Sequence, residues 1–172
     1  FTLNADDGKA PWLLKDADII IVGVSRTGKT PLSVVLSQTM GLKIANVPLV
    51  MECPPPKELL DKTVIDPNKV FCLILSPSEL RRIRTARLEK RGVKAMEESM
   101  KDKKMDSERQ SNYASRAYSL NDLKNARELS TAQGWTEVDV TGRAVEETAS
   151  YIISLMNERF KDSNFSESVF GN

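Results

Sequence analysis

Short apolar runs alternate along the chain with segments whose apolar residues recur every three or four positions. The short runs predict β-strands, at 18–24, 43–51, 70–75 and 135–140. The helical spacing predicts α-helices, at about 29–40, 77–91, 120–133 and 143–160. Because strands and helices alternate, we expect an α/β fold in which a parallel sheet carries helices on both faces.

Several predicted helix boundaries carry capping residues. Ser76 follows the third predicted strand and Glu79 comes three residues later, which is the pattern of a capping box. Ser119 and Asp122 repeat a weaker version of this pattern further along the chain. Gly41 is placed to end the first predicted helix.

Residues 23–30 match the G-x-x-x-x-G-K-[ST] pattern of a phosphate-binding loop. The loop stands between a predicted buried strand and a predicted helix, where backbone N–H groups and a helix N-terminus surround a phosphate. Lys29 is predicted to reach the outer phosphate oxygens, and the Thr30 hydroxyl to hold Mg²⁺. The candidate nucleotide-binding residues of the loop are Gly23, Val24, Ser25, Arg26, Thr27, Gly28, Lys29 and Thr30. The sequence therefore predicts a P-loop kinase-like protein.

The length of 172 residues suits one well-cored domain. We expect an N-terminal arm at 1–16, a P-loop catalytic domain at 17–160 and a flexible tail at 161–172. The charged segment at 92–118 has two interpretations. It is either a solvated loop or frayed helix, or a mobile lid or target-binding insert.

Composition narrows the classes of partner and of chemistry. The chain has 25 Lys and Arg against 24 Asp and Glu, and no apolar run approaches the ~20 residues of a membrane span. We therefore expect neither nucleic acid nor a membrane as a partner. Cys53 and Cys72 fall in or beside apolar segments and are predicted to be reduced core residues. Without histidine, proton transfer must use a carboxylate, lysine, tyrosine or the substrate itself.

Carboxylates outside the loop are further candidates. Asp6 and Asp7 precede Gly8, and a turn is the simpler interpretation. A carboxylate there could accept a hydroxyl proton only if the arm folds back beside the phosphate loop. Asp139 ends the last predicted strand, at the sheet edge where open α/β folds bind ligands, and could orient Mg²⁺ or position the loop. Thr141 fits a cap of the last helix.

Basic residues also have two interpretations. Arg81, Arg82, Arg84 and Arg87 lie on the helix after the third strand, where a solvated basic face is the simpler interpretation. The alternative is that one of them clamps a transferring phosphoryl group or a target phosphate. Lys43 opens the second strand and is typical of an exposed lysine.

Other nucleotide-binding classes are disfavoured. The third predicted strand ends without a magnesium-binding aspartate, which argues against a standard ATPase motor. Residues 139–142 match the D-x-x-G of a GTPase switch but follow the last strand. The Asn68-Lys69 pair lacks the aspartate that would read guanine.

Five stretches of the sequence resemble the pyruvate, phosphate dikinase regulatory proteins. They are Asp6-Asp7-Gly8 and residues 17–33, 43–50, 80–88 and 138–149, and together they cover nearly the whole chain to about residue 156. The run Ser-Arg-Thr-Gly-Lys-Thr-Pro within the second stretch is much more specific than a generic phosphate loop. Members usually carry an extra N-terminal domain, so the resemblance implies a catalytic C-terminal portion.

The resemblance implies a bifunctional enzyme that acts on one threonine of pyruvate, phosphate dikinase. Such an enzyme phosphorylates the threonine with ADP, and removes the phosphate with inorganic phosphate while releasing pyrophosphate; Mg²⁺ is the expected metal. Asp7 becomes the candidate acid or base. Asp139 joins Lys29 and Arg84 as a candidate catalytic residue, and Lys43 joins the nucleotide-binding set.

The Lys- and Met-rich insert near 92–112 favours a plant-type member, expected in the chloroplast stroma, with the cytoplasm as the alternative. No transit peptide is visible in this chain. Because the arm precedes the first strand and could reach a neighbouring chain, a homodimer is expected. Two other functions fit the residues: a P-loop small-molecule kinase with a compact acceptor pocket, and a non-catalytic nucleotide-sensing module.

Overall fold

The computed structural model describes residues 1–8, 10–98 and 115–161. The lid proposed for 92–118 falls largely outside this part of the chain, and so does the predicted tail after residue 161.

Four parallel strands form the centre of the molecule. They are β1 Ile19–Gly23, β2 Ile44–Pro48, β3 Val70–Ile74 and β4 Thr136–Asp139, in the spatial order β2-β1-β3-β4. Every residue of β1 and β3 is buried, because helices cover both faces of the sheet. The predicted α/β fold with a parallel sheet is confirmed.

The helices divide between the two faces. The α-helices of the described residues are α1 Lys29–Met40, α2 Lys57–Leu60, α3 Pro77–Glu98, α4 Arg116–Gln133 and α5 Val145–Arg159. Helices α1 and α5 bury Leu36 and Ile152 against one face of the sheet. The opposite face packs on α2, α3 and α4 through Leu59, Leu80 and Ala126. Short 3₁₀ helices lie at Asp6–Gly8, Pro11–Asp16 and Pro67–Lys69.

The capping prediction for α3 is half right. The Ser76 hydroxyl accepts a hydrogen bond from the Glu79 N–H at 3.3 Å, as expected of an N-cap. The Glu79 side chain, however, pairs with Arg82 and does not return to Ser76. The Ser76 N–H instead donates to the Thr141 hydroxyl at 2.8 Å. Thr141 therefore joins two loops at the sheet edge and does not cap α5, whose N-cap residue is Ala144.

Helix α4 begins earlier than predicted. Its N-cap is Ser115, whose hydroxyl accepts from the Tyr118 N–H at 3.1 Å. Ser119 and Asp122, which resemble a cap in the sequence, are instead buried within the helix. The capping pattern was misleading because Asp122 is buried to pair with Arg84 of α3, and Ser119 is buried one turn before it.

The N-terminal arm packs on its own domain. The Asn46 N–H donates to the Ala5 carbonyl at 3.0 Å, and the Ile44 N–H donates to the Thr2 hydroxyl at 3.2 Å. Ala5 and Leu14 are buried in the same core cluster as the sheet. The arm is therefore ordered against its own chain, and the homodimer stays a prediction.

The two cysteines differ in environment. Cys72 is buried in β3, and its burial raises the pKa of the thiol to about 12. Cys53 is exposed, so its prediction as a core residue is wrong. It lies beyond the end of β2, in the connection to α2, which runs along the surface. Within the described residues, no helix combines the length and apolar character needed to cross a membrane.

Gly23 lies where β1 passes closest to β3. A Cβ atom at this position would lie 2.7 Å from the Leu73 carbonyl oxygen, and the φ angle is +148°. We predict that Gly23→Ala lowers the free energy of unfolding by about 2–5 kcal/mol, because backbone strain adds to a steric clash.

Gly41→Ala is the matched control, since its φ is +67° but no atom lies within 4 Å of the added Cβ. Its expected cost is about 1–2 kcal/mol, from backbone strain alone. Urea denaturation of both variants provides the measurement, and equal losses would contradict the close-contact argument.

Candidate active site

The phosphate loop connects β1 to α1 at the carboxyl edge of the sheet. Its residues 24–28 bend around the N-terminus of α1, whose first residue is Lys29. The loop's own side chains hold it from inside. The Val24 carbonyl accepts hydrogen bonds from the Lys29 ammonium at 2.9 Å and from the Thr27 hydroxyl at 3.0 Å. The predicted phosphate loop therefore has the local structure that its pattern requires.

The Lys29 ammonium group is buried, with 6% of the residue exposed. Burial lowers its pKa from 10.5 to about 8, because the charged form loses water. The negative charges of Asp7 and then Asp6 oppose this shift. A lysine with this pKa is poised to gain stabilisation from a bound phosphate, whose negative charge favours the protonated form.

Asp6 lies at the centre of a polar cluster at the end of the loop. Its Oδ1 accepts hydrogen bonds from the Asn46 amide and from the Thr30 hydroxyl, the latter at 3.3 Å. The Asn46 amide also donates to the Thr30 hydroxyl at 3.1 Å. Asp6 was considered in the sequence only as a turn residue or as an alternative to Asp7, and Asn46 was not predicted as a site residue. The signal for Asn46 was a polar residue within an otherwise apolar strand.

Asp7 is brought to the site by the fold of the arm. Its backbone is left-handed, with a φ of 55°, and its side chain is exposed. Among the charges that act on Lys29, the negative charge of Asp7 does most to raise the lysine pKa. The structure thus brings together Asp7, Lys29 and Thr30, three of the residues singled out in the sequence.

Lys43 is not brought to this site. It precedes β2, and its N–H donates to the Asp18 carboxylate at 2.8 Å, just before β1 begins. Gly23 pairs with Pro48 at the other end of the same two strands. A rise of about 3.3 Å per residue separates Lys43 from the loop by about 16 Å along the strand. In a parallel sheet, a residue that opens a strand lies at the edge opposite the ligand site.

Asp139 lies at the carboxyl edge of the sheet, as the phosphate loop does, but away from Lys29 and Thr30. Asp139 ends β4 and pairs in register with Ile74 of β3. Strand β4 lies two strands from β1, about 10 Å away across the sheet. Its carboxylate accepts from the Thr141 N–H at 2.9 Å, and hydrogen bonds from Thr141 lower its pKa. Asp139 therefore holds the turn before α5, and the structure does not place it beside Lys29.

Arg84 is fully buried and does not face the solvent as a phosphate clamp would. Its Nη2 lies 2.5 Å from the Asp122 carboxylate and 3.4 Å from the Ser25 carbonyl. The guanidinium thus contacts the backbone of the phosphate loop on the side of α3 and α4. Of the four arginines considered, the other three are exposed.

A pocket of about 240 Å³ opens beside the loop, between α1, the start of α3 and the turn after β4. This volume lies below the ~300–1,000 Å³ typical of sites for drug-sized ligands, so it suits one part of a nucleotide. Its walls are mainly apolar, and two arginines are included in the lining. The residues that define it are Arg26, Leu73, Leu75, Ile83, Val140, Arg143 and Val145.

Comparisons with known proteins agree on one family. The family model described as Kinase/pyrophosphorylase matches residues 1–153. The chain is 40% identical over 159 residues to "Putative pyruvate, phosphate dikinase regulatory protein 2" of Syntrophomonas wolfei, covering 92% of this chain and 52% of that protein. It is 42% identical over 160 residues to a putative regulatory protein of the same description from Sorangium cellulosum, covering 92% and 50%.

Plant proteins are similar to the same degree. The chain is 40% identical over 160 residues to "Pyruvate, phosphate dikinase regulatory protein, chloroplastic" of Zea mays, covering 92% of this chain and 34% of that protein. The chain therefore spans about half the length of its bacterial relatives and about a third of the maize protein. Because the bacterial and plant identities are nearly equal, they do not distinguish a plant-type member.

The lowered pKa of Lys29 predicts a pH dependence of nucleotide binding. Since the free protein loses the Lys29 charge as the pH rises through about 8, ADP affinity is expected to fall between pH 7 and 9.5. Binding above pH 8 should also take up protons, because phosphate favours the charged lysine. Calorimetry in buffers of different ionisation heat measures both effects.

Lys29→Arg is the control, because a guanidinium stays charged throughout this range. Its ADP affinity is expected to stay constant across this pH window. A flat parent profile would contradict the assignment. The folded pKa lies below the unfolded one, so the same group should raise the free energy of unfolding as the pH rises from about 8 to 10.5.

Proposed function

The chain belongs to the kinase/pyrophosphorylase family, and on that premise we propose that it regulates pyruvate, phosphate dikinase by reversible phosphorylation of a threonine. In one direction the β-phosphoryl group of ADP moves to the threonine oxygen and AMP leaves. In the other, inorganic phosphate takes the phosphoryl group and leaves as pyrophosphate. The proposed location is the chloroplast stroma for a plant-type member and the cytoplasm otherwise.

The observation that carries this proposal is the single loop with different surroundings at its two ends. The apolar pocket lies at one end, beside Leu75, Val140 and Val145. The polar cluster of Asp6, Asp7 and Thr30 lies at the other. A nucleoside diphosphate fits this division, with its base in the pocket and its terminal phosphate at the polar end.

Two side chains support the path of the phosphates between these ends. Arg26 lines the pocket, and its buried Nε has no hydrogen-bond partner among the described residues. Lys29 is buried at the start of α1, where the helix N-terminus adds positive potential. Both groups favour an anion lying along the loop.

The residues present also fit Mg²⁺. A hydroxyl and a carboxylate are oxygen ligands of the type that this ion takes, and it commonly binds one or two carboxylates together with substrate phosphates. Thr30 Oγ1 and Asp6 Oδ1 are 3.3 Å apart, close to the roughly 3 Å between adjacent ligands of an octahedral ion. Thr30 and Asp6 would hold the ion, which supplies charge neutralisation to the phosphates.

Asp7 is the proposed group that accepts the proton of the threonine hydroxyl. Asp6 is engaged by Asn46 and Thr30, whereas the Asp7 side chain is exposed and its charge raises the pKa of Lys29. The exposed carboxylate is therefore the one that an incoming protein segment can reach. In phosphorolysis the same carboxylic acid returns the proton to the departing threonine oxygen.

A labelled phosphoryl group tests the overall proposal. The protein is incubated with ADP labelled in the β-phosphate and with pyruvate, phosphate dikinase. Label on a dikinase threonine, with equal release of AMP, is the expected result. Label on a small metabolite would indicate a small-molecule kinase instead, and tight ADP binding without transfer would indicate a nucleotide-sensing module.

One loop serving both reactions predicts competition. Because the terminal phosphate of ADP and free phosphate would occupy the same donors, each should inhibit use of the other competitively. Titration of ADP into protein saturated with phosphate measures this effect. Simultaneous and independent binding of the two would show a second phosphate site.

Asp7→Asn should reduce phosphoryl transfer by about 10²–10⁴-fold while ADP affinity changes little. The amide cannot accept the proton, whereas ADP is held by the loop and Lys29. Asp139→Asn is the matched control, because that carboxylate holds the turn before α5. It should retain transfer. A parent-like Asp7→Asn variant together with an inactive Asp139→Asn variant would reverse the assignment.

A further inference from the structure

A buried ion pair behind the phosphate loop joins three parts of the fold. Arg84 of α3 is 0% exposed, and its Nη2 lies 2.5 Å from the Asp122 carboxylate of α4. The same Nη2 lies 3.4 Å from the Ser25 carbonyl of the loop. A buried charge is costly unless it is paired and hydrogen-bonded, so this arrangement constrains both helices and the loop together.

Arg84 is closed off from a ligand. Its guanidinium lies 5.7 Å from the centre of the Tyr118 ring, and the Tyr118 hydroxyl donates to the Glu52 carboxylate at 3.0 Å. Asp122 balances its positive charge. Arg84 can therefore act on the phosphate loop through its contact with the Ser25 carbonyl oxygen.

The geometry of a peptide unit gives that contact a consequence. In a planar trans peptide, the C=O of one residue and the N–H of the next point in opposite directions. A Ser25 carbonyl turned towards Arg84 thus turns the Arg26 N–H away from Arg84. Arg26 is also left-handed, with a φ of 78°. Such a conformation costs about 1–3 kcal/mol in a non-glycine residue and persists only when surrounding contacts hold it.

We infer that Arg84 is a positioning residue, held by Asp122, that orients the Ser25–Arg26 peptide so that the Arg26 N–H serves as a phosphate donor. The inference rests on the proposed function, because it assumes that the loop binds phosphate. Arg84 is thus not a clamp that touches phosphate. It orients one of the loop N–H groups that would donate to the phosphate. Asp122 acts on the loop only through Arg84, because it holds the guanidinium in place.

Two variants separate this role from a merely structural one. Arg84→Met together with Asp122→Leu removes both charges, and replacing a buried ion pair by apolar residues is often neutral for stability. Arg84→Lys keeps a charge opposite Asp122 but replaces the rigid guanidinium, whose Nη2 makes both contacts, by an ammonium group on a flexible stem. Arg87→Met is the control, because Arg87 is exposed on the same helix.

The measurements are ADP and inorganic phosphate affinity by calorimetry, the free energy of unfolding, and the hydrogen-exchange rate of the Arg26 amide by NMR. We expect both test variants to bind ADP and phosphate about tenfold more weakly and to exchange the Arg26 amide faster. The control should match the parent. If the double variant does not fold, Arg84→Lys decides the outcome.

Folded variants with ADP affinity within about twofold of the parent and an unchanged Arg26 exchange rate would overturn the inference. A loss of stability without a selective loss of binding would do the same, since it would show a purely structural pair. A parent that binds neither ADP nor phosphate would refute the proposed function instead. The exchange rate would then still decide whether Arg84 orients this peptide.

Discussion

The burial of the Lys29 charge is the constraint on which the rest of the site depends. An ammonium group with so little exposure is unfavourable unless the protein replaces its lost water. The Val24 carbonyl replaces part of it at 2.9 Å, and the carboxylates of Asp7 and Asp6 supply opposing charge. Because those carboxylates belong to the arm, the arm is part of the phosphate site.

The arm in turn is positioned by β2. The Ala5 carbonyl accepts from the Asn46 N–H and the Thr2 hydroxyl accepts from the Ile44 N–H. The Asn46 side chain donates to Asp6 and Thr30. Strand β2 thereby packs in the core through its apolar residues and supports the cluster of Asp6 and Thr30 through Asn46. The opposite end of the loop is set by the connection between β4 and α5. The two ends of the loop have different surroundings because β2 and the arm lie on one side of β1, whereas β3 and β4 lie on the other.

The helical pair α3 and α4 supplies the third support of the loop. Arg84 and Asp122 come from different helices and meet beneath Ser25. The chain between these helices contains residues 99–114, outside the described part. A surface of the helical pair that contacts a target protein would therefore be linked to the phosphate loop through one ion pair. This link is a physical path, since each of its contacts is a hydrogen bond or an ion pair.

The local parts of the fold were predictable because short-range physics determines them. The strand, loop and helix from 19 to 40 follow from a buried β-branched run, glycines at 23 and 28 and helical apolar spacing. The alternation of strands and helices then indicates a parallel sheet. The ends of β2, α3 and α4 were less accurate. Cap-like residues such as Ser119 are ambiguous until their burial is known.

The residues that complete the site became apparent only in the tertiary structure. Asp6 and Asn46 are 40 positions apart, and Arg84 and Asp122 are 38 apart, so no local pattern connects them. Lys43 was misplaced because the resemblance outweighed the rule that strand starts lie at the amino edge. The sequence by itself determined which loop we propose to bind phosphate, since that pattern needs only a contiguous segment. Only the tertiary structure decided which carboxylates face it, because long-range packing of the arm and helices sets those distances.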